Sequence, residues 1–99
     1  MIAGSARVRA DRLDAALEAA SRMAEASRDE PGCVDYRFSI DIEDPNTVRI
    51  FEHWESSESL ERHFAAPHFL AFSELLGDVL DGQPEFSRYE VADVRPLFG

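Results

Sequence analysis

The stretch that decides the fold runs from Cys33 to Ile42 and reads CVDYRFSIDI. Its apolar and polar side chains alternate at every second residue, which is the periodicity of a β-strand with one buried face. Residues 43–46 (EDPN) are turn formers, and residues 47–55 read as a second strand. The two strands predict an antiparallel hairpin closed by a four-residue loop.

The length of this loop sets the pairing of the hairpin. It places Tyr36 opposite His53 and Phe38 opposite Phe51, and it leaves Trp54 on the other face of the sheet. A slip of one residue would exchange the faces, but Trp54 and Phe51 point in opposite directions in either register. Large aromatic side chains are therefore expected on both faces, and an open face of that kind would be an exposed apolar patch. We expect a homodimer in which the open sheet faces of two copies cover each other.

The flanking segments predict one strand at each end and two helical regions. The expected elements are a strand over 2–9, a helix capped by Asp11 and ended by the turn at 29–32, a helical region capped by Ser56 or Ser57 and broken at Pro67, and a last strand over 85–94. The order βαββαβ predicts an α+β, ferredoxin-like fold, in which two helices cover one face of a four-stranded antiparallel sheet. Residues 1–99 are expected to form one domain.

The composition excludes several classes of function. A net charge of −10 argues against a nucleic-acid partner and against an anionic membrane surface. The chain contains no lysine, which excludes Schiff-base chemistry, and a single cysteine, Cys33, which excludes an intrachain disulfide. The first residues contain too short an apolar run for a signal peptide, and no stretch is long enough for a membrane span. A cytoplasmic location is the expectation.

Four motifs resemble those of one known family. At Glu30-Pro31-Gly32-Cys33, Glu52-His53-Trp54-Glu55, His63 and Ala66-Pro67-His68-Phe69 the sequence is similar to the antibiotic biosynthesis monooxygenases. The resemblance covers nearly the whole chain in the same order of elements. It implies a ferredoxin-like dimer of the dimeric α/β-barrel type, with a pocket between sheet and helices in each subunit. Some members of the family oxygenate quinols or polyketide anthrones with O2 and use no metal or flavin.

Another branch of the family cleaves haem, and its motifs are largely missing here. That branch has a histidine, as axial iron ligand, one helical turn after the position of Phe69, where this chain has Ser73. The asparagine expected on the first strand is also absent, and Gly4 and Ser5 stand near its position. Only the tryptophan, Trp54, is present. Haem degradation is therefore a minor alternative.

Oxygenation without a cofactor requires a base, a dry aromatic pocket and hydrogen bonds that hold the substrate anion. His63 is the first candidate for the base, because the ordinary pKa of histidine is about 6.5; the alternative is a half-buried histidine bonded to Glu52 or to a backbone carbonyl. Trp54 can stack on a planar substrate, and Glu52 shares its face, although pairing with Arg37 or a histidine would make Glu52 structural. The predicted catalytic residues are thus His63, Trp54 and Glu52, and the predicted substrate-binding residues are His68, Phe69, Phe72, Tyr36 and Arg37.

No two histidines are spaced i, i+4 on one helix, so no metal site is predicted, and no glycine-rich phosphate loop is present. The sequence predicts a monooxygenase that needs no cofactor and uses O2 on a small electron-rich aromatic, such as a quinol or a polyketide-like compound. A non-catalytic dimer of the same fold that binds a small molecule or a partner is the alternative. These two functions belong to different classes, and the sequence leaves the choice between them open.

Overall fold

The computed structural model describes residues 1–99, and its elements follow the predicted order. They are β1 (Ile2–Arg7), a 3-10 turn (Ala10–Arg12), α1 (Leu13–Arg28), β2 (Cys33–Asp41), β3 (Asp44–Trp54), α2 (Ser57–Phe64), α3 (Pro67–Val79) and β4 (Glu85–Arg88). The strands form one antiparallel sheet in the order β2-β3-β1-β4. The helices cover one face, which is the α+β, ferredoxin-like arrangement predicted. None of the helices has the length and apolar character needed to cross a membrane.

Helix α1 packs on the sheet through small side chains. Its buried face consists of four alanines together with Met23 and Ser27. The predicted cap, Asp11, lies instead in the 3-10 turn, and α1 begins at Leu13 without a side-chain capping bond. The prediction of this cap is wrong because the chain completes a tighter turn before the α-helix starts.

The break between α2 and α3 occurs where the sequence predicted it. Ala66 has an extended backbone, with ψ of 143°, because the ring of Pro67 disfavours a helical conformation in the residue before it. Pro67 is then the first residue of α3, where its missing N–H is not needed. The break places His63 in the last turn of α2 and His68 in the first turn of α3.

The register of the β2–β3 hairpin differs from the predicted one by one residue. Tyr36 pairs with Glu52 and Phe38 pairs with Ile50, so the expected pairings of Tyr36 and Phe38 are wrong. The turn comprises only residues 42–43, and the register shifts beside it. The extra residues belong to the start of β3, where the Asp44 carboxylate accepts hydrogen bonds from the Asn46 N–H and the Thr47 hydroxyl.

The observed register separates the two faces of β3. Ile50, Glu52 and Trp54 are buried beneath the helices, whereas Phe51 and His53 lie on the open face. Their neighbours on the open face are small or polar, namely Ala3, Ser5, Asp35, Arg37, Ser39 and Arg49. Large aromatic side chains were expected on both faces; the open face has Phe51, and the polar neighbours make it less apolar than the expected patch. The homodimer through the sheet face stays a prediction, and Phe51 is the large apolar side chain that β3 presents on that face.

Strand β4 is shorter than predicted. It ends at Arg88, because only its first four residues pair with β1, and the expected continuation to Val94 is wrong. Most of the exposed apolar side chains near this end of the chain follow the strand, namely Tyr89, Val91, Val94, Leu97 and Phe98. These apolar side chains alternate with exposed charged residues, namely Glu90, Asp93 and Arg95.

Candidate functional site

A cavity of about 260 Å³ lies between the helices and the sheet, and eighteen of the twenty residues that line it are hydrophobic. An apolar cavity of about 150 Å³ holds benzene in another protein, so this one is large enough for a small aromatic molecule. The cavity reaches the surface beside Ser73 and Phe86, which are both exposed.

Aromatic side chains from four elements form much of the cavity wall. Tyr36 and Phe38 project from β2, Phe64 from α2, Phe69 and Phe72 from α3, and Phe86 from β4. The ring of Phe38 lies 5.6 Å from that of Tyr36 and 5.7 Å from that of Phe72, centroid to centroid. The sequence had selected Tyr36, Phe69 and Phe72 for this surface. It missed Phe38 and Phe64, which the hairpin alternation and the helical spacing could have placed on the same face.

Glu52 is the only ionisable carboxylate among the residues that line the cavity. The alternation of β3 places it between the buried residues Ile50 and Trp54, so its side chain points toward the helices. The indole Nε1 of Trp54 donates a hydrogen bond of 2.9 Å to Glu52 Oε1. Burial raises the pKa of Glu52, and the bond from Trp54 opposes this effect only in part. Glu52 is therefore a stronger base than an exposed carboxylate.

His63 lies behind the cavity wall rather than in it. The residue is 0% exposed, and it is absent from the cavity lining. Its ring centroid lies 4.7 Å from that of Trp54, 5.1 Å from that of Phe69 and 5.4 Å from that of Tyr36. Its Nε2 is buried without a hydrogen-bond partner. Burial lowers the pKa of His63, while the neighbouring Glu30 opposes the change, so the ring is neutral at neutral pH.

Glu30 joins the two helix histidines. Its Oε2 lies 2.6 Å from His63 Nδ1 and 2.9 Å from His68 Nε2. The expected partners of His63, Glu52 or a backbone carbonyl, are therefore wrong. Sequence reasoning read Glu30 only as part of the turn that ends α1. The available signal was an acidic residue placed directly before a Pro-Gly turn, in a motif shared with the family.

Arg37 lies on the open face, far from the role expected for it. Its Nε donates to Asp35 Oδ1 at 2.8 Å, so the expected pairing with Glu52 is wrong. Trp54 and His68 are also absent from the cavity lining, although both contact groups close to it. The structure thus places Glu52, Tyr36, Phe69 and Phe72 around one cavity. Trp54, His63 and His68 lie behind the cavity wall, and Arg37 lies on the opposite face of the sheet.

The sheet topology and the covered cavity define a class: a ferredoxin-like α+β protein with an internal site of small-molecule size. The family model of antibiotic biosynthesis monooxygenases matches residues 1–75, and the chain belongs to this family.

Related proteins agree with this assignment. An uncharacterized protein from Synechocystis is 32% identical over 97 residues, which are 98% of this chain and 66% of that protein, so the chain spans slightly under two thirds of its relative. A structure from Pseudomonas aeruginosa is 25% identical, covers 92% of both chains and has a TM-score of 0.82. A Deinococcus radiodurans protein, described as a candidate antibiotic biosynthesis monooxygenase, is 24% identical, covers 100% of both chains and has a TM-score of 0.89; it shows the shared fold alone.

Proposed function

We propose that the protein is a monooxygenase that needs no cofactor and acts with O2 on a small electron-rich aromatic bound in the cavity. The supporting observation is the position of Glu52, a carboxylate of raised pKa in an otherwise apolar, aromatic cavity. Such a cavity favours a planar apolar substrate. The carboxylate then provides the one proton acceptor that the reaction requires.

Glu52 takes the role of base that the sequence assigned to His63. A base must lie within hydrogen-bond reach of the proton it removes, and His63 does not line the cavity. Trp54 holds Glu52 Oε1, which orients the carboxylate and leaves Oε2 for the substrate. His63 packs against the indole and supports its position. Trp54 and His63 are therefore positioning residues in this proposal.

The chemistry is balanced for a substrate whose reactive carbon carries two hydrogens beside an aromatic ring. Glu52 removes one proton, and the resulting carbanion transfers one electron to O2, which gives a substrate radical and superoxide. These combine through a new C–O bond, and the peroxide takes up the proton held by Glu52. Loss of the second C–H proton and of the distal oxygen as water leaves a carbonyl group. The substrate supplies all the electrons, and both atoms of O2 are accounted for.

The aromatic wall favours this reaction in two ways. The six aromatic rings exclude water from the carbanion, which limits its protonation before it meets O2. They also offer faces and edges for stacking on a planar substrate. Burial raises the pKa of Tyr36 far above its ordinary range, so its hydroxyl stays protonated and does not compete with Glu52 as a base.

The test measures O2 uptake by the purified chain with a panel of quinols and anthrones. We expect catalysed uptake above the chemical background and a loss of about 100-fold or more in kcat/KM for Glu52→Gln, because removing a general base costs at least this much. Glu18→Gln is the matched control, since Glu18 is an exposed residue of α1 paired with Arg22. No uptake above background across the panel, or equal rates for wild type and Glu52→Gln, would contradict the proposal.

A second candidate function is binding without catalysis. It is favoured by the contacts of Glu52 and His63, which already bond to Trp54 and Glu30 within the fold and so have structural roles. The chain contains one tryptophan, and its fluorescence reports on ligands beside Glu52. Quenching by aromatic ligands without any O2 uptake would favour this function. Quenching together with uptake that depends on Glu52 would favour the enzyme.

A further inference from the structure

Three side chains with metal-binding atoms meet behind the cavity wall, and each comes from a different element. Glu30 lies in the turn before β2, His63 in the last turn of α2, and His68 in the first turn of α3. One donor atom from each residue lies within 4.8 Å of the other two. We propose that Glu30, His63 and His68 bind a divalent transition-metal ion, for which Zn²⁺ is the best match.

The donor set suits this class of ion. Two imidazole nitrogens and one carboxylate oxygen are ligands typical of Zn²⁺ with an open fourth position. Tetrahedral Zn²⁺ separates its ligand atoms by about 3.4 Å. The present separations of Glu30 Oε2 from His63 Nδ1 and His68 Nε2 are 2.6 and 2.9 Å. To bind the ion, the Glu30 carboxylate withdraws from the two rings, and the two histidine nitrogens, which lie within 4.8 Å of each other, adjust toward the ion.

The charge of the cluster also favours a cation. The Glu30 side chain is only 14% exposed, and its ion-pair partners are the two histidines. A carboxylate in such a largely buried position is costly unless a positive group pairs with it. A divalent ion balances this charge. The net charge of −10 on the chain adds a general attraction for cations.

The tautomer of His63 gives an independent reason. When Nδ1–H donates to Glu30, the neutral ring leaves a bare lone pair on Nε2, which is buried among aromatic rings without a donor. When Nδ1 instead binds a metal ion, the proton moves to Nε2. That N–H then lies among the rings of Trp54 and Phe69, whose π systems can accept it weakly. His63 Nε2 is the only buried side-chain polar atom without a hydrogen-bond partner, and metal binding would replace its bare lone pair with an N–H group.

The position of the site indicates what the ion would do. It lies outside the cavity lining, but it joins the turn before β2 to α2 and to α3, which provides Phe69 and Phe72 to the cavity wall. A bound ion would hold these elements together and stabilise the wall. Solvent reaches the site on the side of His68, whose side chain is 28% exposed, so the ion can enter and keep a water ligand there. This role is separate from the proposed oxygenation.

The experiment titrates ZnCl2 into the full chain after dialysis against a chelator, with calorimetry and thermal unfolding as readouts. We expect one Zn²⁺ per chain with micromolar or tighter affinity, and a higher melting temperature with the metal. His68→Ala is the informative variant, since this residue is the most exposed of the three ligands and its loss leaves the core intact. We expect it to weaken binding by more than about 100-fold, because even loss of an outer partner of a metal ligand costs 10–100-fold.

His53→Ala is the matched control, because His53 is the third histidine of the chain and lies on the open face. It should bind Zn²⁺ as the wild type does. Co²⁺ adds a spectroscopic readout: visible absorption typical of a four-coordinate site should appear in the wild type and in His53→Ala and be absent in His68→Ala. Unchanged binding in His68→Ala, loss of binding in His53→Ala, or no stoichiometric binding would each overturn the proposal. O2 uptake measured in chelator tests the oxygenation separately.

Discussion

Replacement of Trp54 by phenylalanine tests the contact that orients the proposed base. Trp54 and Glu52 are 7% and 8% exposed, and the indole N–H donates to the carboxylate at 2.9 Å. A phenyl ring retains most of the packing against Tyr36, whose ring centroid is 6.3 Å away, but it has no donor. The substitution therefore leaves a buried carboxylate oxygen without its partner.

The magnitude follows from two contributions to the free energy of unfolding. A lost hydrogen bond to a charged group costs about 1.5–3 kcal/mol. The smaller ring forfeits roughly 1 kcal/mol of apolar burial and packing. The sum is about 2.5–4 kcal/mol at neutral pH, which lowers the melting temperature of a domain of this size by roughly 10–30 °C.

The cost should depend on pH because Glu52 titrates. Its pKa is raised in the folded state, so the folded protein binds this proton more tightly than the unfolded chain does. This contribution to stability is present at low pH and is lost as the pH rises through the folded pKa. At low pH the substitution removes only a bond to a neutral carboxyl group, worth about 0.5–1.5 kcal/mol. At pH 8 it removes a bond to the ionised group, so the destabilisation should be larger there.

The assay is urea unfolding at one pH below and one pH above the raised pKa of Glu52. It is followed by circular dichroism, since the variant lacks the only tryptophan. Glu52→Gln and the double variant complete a double-mutant cycle. With glutamine at position 52, the effect of Trp54→Phe should become smaller and independent of pH. Equal destabilisation at both pH values, with no coupling to position 52, would refute the assignment of this bond.

The remaining predictions concern stability, reactivity and assembly. Ser56→Ala should lower the free energy of unfolding by about 1 kcal/mol in urea titrations, because the Ser56 hydroxyl accepts a hydrogen bond from the Ser59 N–H at 3.1 Å and caps α2. An unchanged free energy of unfolding would contradict this capping role. Gly32→Ala should lower the free energy of unfolding by more than about 1 kcal/mol in the same titration, since Gly32 has φ of +85° and a Cβ would collide with the Ser59 hydroxyl. An unchanged urea midpoint would be incompatible with this backbone conformation. Burial raises the pKa of Cys33 to about 11, so alkylation of its thiol at pH 8 should be much slower than in an unfolded control. Equal alkylation rates would show that the thiol is accessible and ionised in the folded chain. Light scattering at micromolar concentration should give twice the 11.1 kDa mass of one chain, because a second copy would bury the exposed apolar residues after Arg88. The mass of a single folded chain would contradict the homodimer.

Local patterns in the sequence were sufficient for the order of elements. The alternation from Cys33 to Ile42 defined a strand, and Pro67 marked the boundary between α2 and α3. Both signals act over a few residues, since a strand repeats every two residues and proline restricts only its neighbours. The family motifs, also local, led to the family that the comparison shows.

The register of the hairpin could not be read in the same way. Counting the polar residues 43–46 as the loop shifted every pair by one position, although the alternation itself was correct. The actual turn is shorter because Asp44 bonds to Asn46 and Thr47 and draws the following residues into β3. A displacement of one residue exchanges the faces of β3, so it decided whether Glu52 or Phe51 lies beneath the helices.

The sequence by itself determined the local elements and the types of chemical group available: an alternating hairpin, a broken helix, three histidines and a glutamate on a strand. Only the tertiary structure decided which of these groups meet. Glu30 is separated from His63 and His68 by 33 and 38 positions, and no periodicity relates them. Packing of α2 and α3 against the sheet brings them together, because burial of the apolar faces orients the helices and their polar side chains follow.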